Sequence, residues 1–148
     1  MTKFLSWMAV IIWMYYIFYL SHQQATVSSE LSTGITEHIQ KTIENIVPTN
    51  EFEMESLHHI VRKNAHFYLY LILGLLVFNA LRTNDIQRYS RAGRALLICV
   101  FYAVSDEFHQ RFVEGRGPQV SDVLIDSMGA IIGIAMFWLI RWIVKRKK

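Results

Sequence analysis

The side chains able to do chemistry fall in three short clusters: Lys63 and His66; Asp106, Glu107, His109 and Gln110; Asp122 and Asp126. A carboxylate beside an imidazole is the usual arrangement for proton transfer, so His66, Asp106, Glu107, His109 and Asp126 are the candidate catalytic residues. Lys63, Gln110, Asp122 and Arg116 are the candidate ligand-binding residues. Arg116 sits in Gly115-Arg116-Gly117-Pro118, a tight turn by composition, and an arginine there can hold a phosphate or carboxylate through two parallel hydrogen bonds.

Helical spacing groups these residues. Lys63, His66 and Tyr70 lie at i, i+3 and i+7 and share a face, as do Tyr102, Asp106 and His109, with Gln110 adjacent. Glu107 falls off that face, where solvent or Arg111 would meet it. Asp122 and Asp126 lie one turn apart, and the same stripe continues through Gly129 and Gly133. Gly-Ala-Ile-Ile-Gly is a small-xxx-small surface that lets two helix backbones approach closely, so these aspartates should point into a bundle.

Other readings compete with a reactive site. Lys63, Arg111 and Arg116 would neutralise Asp106, Asp122 and Asp126 in a purely structural role. His66, Asp106, His109 and Asp126 are ligand types that suit a divalent transition metal. However, no H-E-x-x-H pattern is present, and neighbouring lysine and arginine would weaken a cation site. No metal and no cofactor is therefore expected. The lone cysteine, Cys99, lies in an apolar run and reads as a small buried hydrophobe.

Long apolar runs must position these groups. The chain has 148 residues, 53% hydrophobic, with formal net charge +3. The basic residues lie between apolar runs and at the C-terminus, which excludes a nucleic-acid surface and suggests membrane topology. A membrane helix needs about 17–25 predominantly apolar residues. Residues 4–20 reach that length and are followed by no small-x-small cleavage site, which favours a span over a signal peptide. Residues 65–81 and 123–140 form two more runs. Residues 95–104 are short until the polar end, 105–110, is added.

Charge orients the spans. With Lys3 inside, the loop carrying Arg82, Arg88, Arg91 and Arg94 is inside, as is the tail carrying Arg141, Lys145, Arg146, Lys147 and Lys148. Both termini are then cytoplasmic, and the three polar clusters fall on the outer side. In the first outer loop Leu31, Ile35, Ile39, Ile43 and Val47 form an amphipathic helical stripe that ends before Pro48. The expected fold is all-α: a polytopic four-transmembrane-helix bundle with an extracytoplasmic amphipathic helix. Residues 1–62 form the first span and outer loop, and residues 63–148 a core of three spans.

Arg62-Lys63-Asn64-Ala65-His66-Phe67, Ser105-Asp106-Glu107-Phe108-His109-Gln110, Gly115-Arg116 and Ser121-Asp122-Val123, with Asp126 and Gly129, resemble the motifs of the VanZ-like family. The likeness covers roughly residues 60–140 and adds little in the first span and outer loop. It implies a bacterial membrane protein, and the family's founding member is associated with resistance to teicoplanin. The family's polar positions correspond to Lys63, His66, Asp106, Glu107, Gln110, Arg116, Asp122 and Asp126, whereas His109 is not assumed to be one of them. The expected partners are membrane lipids and a cell-wall precursor or other anionic headgroup, with no nucleic acid; an oligomer is compatible with the sequence. The expected role is to bind or modify that envelope component, with a non-enzymatic membrane scaffold as the alternative.

Overall fold

The computed structural model describes residues 2–22, 51–81, 88–113 and 119–146. The stripe at 31–47 and the turn bearing Arg116 lie outside the described residues. Every described element is an α-helix: α1 (Thr2–Ser21), α2 (Glu51–Leu81), α3 (Arg88–Gln110) and α4 (Val120–Arg146). Three stretches are long and apolar enough to cross a membrane: Lys3–Ser21, Ile60–Leu81 and Val120–Val144.

α1 buries a narrow stripe, Val10, Ile17 and Ser21, and leaves Phe4, Leu5, Ile11, Ile12 and Tyr15 exposed. A helix apolar on every side suits lipid, not water. Two hydrogen bonds to backbone carbonyls hold it. Trp13 Nε1 donates to the Leu69 carbonyl at 2.9 Å, and the Tyr102 hydroxyl donates to the Met14 carbonyl.

The α2–α4 interface is the most extensive in the bundle. Its basis is absent side chains. A Cβ on Gly129 would strike the Phe67 carbonyl oxygen, one on Gly133 the Leu71 carbonyl oxygen, and one on Gly74 the Ala130 carbonyl oxygen. The two backbones are therefore in direct contact along this line, as the small-xxx-small spacing predicts. Leu73, Val77 and Phe78 of α2 and Ala130 and Ile134 of α4 belong to the core beside it.

α3 has two unlike faces. Ala95, Cys99 and Ala103 are buried, and the same stripe runs on to the buried Asp106 and Gln110. Leu97, Phe101, Val104 and Phe108 are exposed, as is Phe112 just past the helix end. Cys99 is thus the buried small residue its setting predicts. The small inward face and the arginines at its start explain why α3 is absent from the stretches apolar enough to span, although its 23 residues extend about 34 Å.

Candidate functional site

Four helices bring polar groups to one end of the bundle. α2 brings Lys63 and His66, α3 Asp106, Glu107, His109 and Gln110, and α4 Asp122 and Asp126. The end of α1 brings Ser21 and, in the turn just past it, His22, which spacing arguments do not single out. Asp106, Glu107, Gln110, Asp126 and Ser21 are all buried.

The inner layer is centred on two aspartates. Asp106 Oδ2 accepts hydrogen bonds from Ser21 Oγ at 2.8 Å and Gln110 Nε2 at 3.2 Å. Asp126 is 1% exposed, and His66 Nδ1 lies 3.8 Å from its Oδ2. That gap exceeds a hydrogen bond. Among the described residues neither oxygen of Asp126 has a hydrogen-bond partner, and the hydroxyl of buried Tyr70, one turn below His66, also has none. One ligand-type atom each from His66, Asp106 and Asp126 lies within 4.8 Å of the others.

The outer layer is an ion pair with polar support. Lys63 Nζ lies 2.9 Å from Asp122 Oδ1 and donates to Gln119 Oε1 at 3.1 Å and Ser121 Oγ at 3.3 Å. Glu107 corrects the helical-wheel expectation. It is buried, and its Oε2 accepts the Gln119 backbone N–H at 2.9 Å. It thereby places a negative charge at the N-terminal end of α4, where the helix dipole favours one.

His109 also departs from expectation. Its Nε2 lies 3.1 Å from His22 Nδ1, and its ring packs on Phe18 at a centroid distance of 4.5 Å. It faces α1, apart from the His66–Asp126 pair. Arg116 lies outside the described residues.

A small cleft, with enclosed room for about one water molecule, opens between the layers. Arg62, Lys63, His66, Gln110, Asp122 and Asp126 line it together with Ile125. Cationic groups and a hydrogen-bonding imidazole thus face a cavity backed by carboxylates.

The model of the VanZ/LLP1 family matches residues 6–141. The chain belongs to the VanZ/LLP1 family. No curated protein and no solved structure matches it. The VanZ/LLP1 match extends beyond residues 60–140 and takes in most of α1. Ser21 and His22 therefore lie inside the VanZ/LLP1 region, next to the motif residues they contact.

Proposed function

We propose that this VanZ/LLP1 protein is a multi-pass protein of the bacterial cytoplasmic membrane. Both termini are cytoplasmic, and its polar end binds an anionic headgroup of an envelope component at the outer leaflet. The observation that carries the reading is the pocket between α2 and α4. Lys63 and Arg62 line it alongside His66, in a chain whose helices otherwise expose apolar surface. Cations recognise phosphate or carboxylate, and the apolar surface keeps them at headgroup depth.

α3 serves as the fourth span in this reading. Its exposed Leu97, Phe101, Val104 and Phe108 form a lipid-facing stripe, while its polar residues face the other helices. Arg91 and Arg94 lie near the opposite end of α3 from Asp106, in keeping with the charge bias. If the bound component is also modified, His66 is the group at the pocket able to move a proton. Arg116 would complete the anion site. Protection against teicoplanin is the phenotype the family suggests for such binding.

The scaffold reading draws on the Lys63–Asp122 ion pair and the Ser21–Asp106 hydrogen bond, each of which ties two helices together. Lipid mass spectrometry of cells with and without the gene, with an Asp106→Asn control, separates the two. The headgroup reading expects a changed headgroup or precursor pool that the variant reverses. If Asp106→Asn, His66→Ala and Arg116→Ala all reach the membrane and keep the full phenotype, the headgroup reading fails.

A further inference from the structure

The inner layer holds a buried carboxylate, Asp126, whose two oxygens lack a hydrogen-bond partner among the described residues. Asp106 and Asp126 are both buried, on different helices, and ligand-type atoms of the two and of His66 lie within 4.8 Å of one another. Two carboxylates this close repel strongly in a low-dielectric setting unless a proton or a cation lies between them. The Lys63 ammonium belongs to the outer layer, where Asp122, Gln119 and Ser121 hold it. Among the described residues Asp126 is within ion-pair distance of His66 alone, and both its oxygens lack a hydrogen-bond partner.

We infer that His66, Asp106 and Asp126 form a binding site for one divalent transition-metal ion of the manganese or zinc class. One imidazole with two carboxylates is a donor set these ions accept, and three protein ligands leave coordination positions open. His66 and Asp126 also line the pocket, so the open positions face it. Ser21 and Gln110 hold the Asp106 carboxylate through Oδ2, the kind of outer support that orients a metal ligand. The Lys63–Asp122 pairing offsets one of the neighbouring cations that would weaken such a site. The site does not depend on which envelope component the pocket takes.

The test uses the full-length protein, purified without a histidine tag, reconstituted in nanodiscs and stripped with a chelator. Mn²⁺ or Zn²⁺ is then titrated, and retained metal is counted by mass spectrometry after desalting. About one ion per chain is expected, and Co²⁺ should give visible d–d bands. His66→Gln and Asp126→Asn should each weaken binding at least tenfold, whereas His109→Ala should leave it unchanged. Added metal should also raise the melting temperature of the wild-type protein, a readout that requires no variant. The inference is overturned by substoichiometric metal with no melting shift, by variants that bind like wild type, or by loss of the ion in His109→Ala alone. Metal content is read without any lipid substrate, so a negative result here leaves the headgroup proposal standing, and the reverse holds too.

Discussion

Ser21, at the last turn of α1, and Asp106, near the end of α3, are joined by a 2.8 Å hydrogen bond across 85 residues of sequence. Both side chains are buried, so the bond holds a carboxylate oxygen that has little access to water. It ties the first helix to the motif region.

Ser21→Ala is expected to lower stability by about 1–2 kcal/mol, the range for hydrogen bonds to charged acceptors and between membrane helices. Unfolding in a denaturing detergent series measures it. In an Asp106→Asn background the same substitution should have less effect. Strictly additive losses would show that the two side chains are not coupled.

Gly129→Ala and Gly133→Ala each place a methyl group against a backbone carbonyl of α2. A backbone cannot rotate away, so each should destabilise by about 1–3 kcal/mol, as overpacking does. Gly93→Ala meets nothing within 4 Å and is the matched control. It should be neutral or stabilise by up to about 1 kcal/mol through helix propensity. Melting followed by tryptophan fluorescence compares them. Equal melting of the three variants would contradict the close α2–α4 contact.

Lys63→Asp and Asp122→Lys should each reduce the amount of folded protein, because each sets like charges where a 2.9 Å ion pair stood. Combining them restores opposite charges in reversed order, so membrane abundance should recover. The lipid phenotype should not recover, since the cation then projects from α4 in place of α2. Recovery of both would favour the scaffold reading.

The proposed topology predicts reporter behaviour. Alkaline phosphatase inserted within residues 114–118 should be active, and a fluorescent protein fused after Lys148 should mature. Reporters within 82–87 and 114–118 should report opposite sides of the membrane. The same side for both would remove α3 from the spanning helices.

What could be read from the sequence follows from how local each signal is. Gly129 and Gly133 are readable because four-residue spacing on one helix is itself the signal. Lys63, His66, Asp106 and Asp126 are readable because charge within or beside an apolar run is costly and needs a reason. Ser21 and His22 are not readable. A serine at the end of an apolar run looks like a boundary, and its partner is far along the chain. Glu107 misleads for a related reason. A wheel drawn for α3 alone omits Gln119, whose backbone N–H meets Glu107 from the start of α4. His109 shares a nominal face with Asp106, yet its ring turns toward Phe18 and His22, aromatic neighbours that only the folded bundle supplies. α3 is hard to recognise as a span because its inward face is small and polar, which dilutes the apolar signal of its outer face.

The glycine line between α2 and α4 also bears on what the pocket can admit. Lys63 and His66 stand on one of these helices, Asp122 and Asp126 on the other. Their separation is set by main chain resting on main chain, which has no rotamers with which to yield. That wall of the pocket is stiff. Any adjustment to a guest must come from α3, which lines the pocket through the side chain of Gln110. Selectivity by size would then reside in the α2–α4 wall and tolerance in α3, so substitutions on the two sides should change the range of accepted ligands in opposite ways.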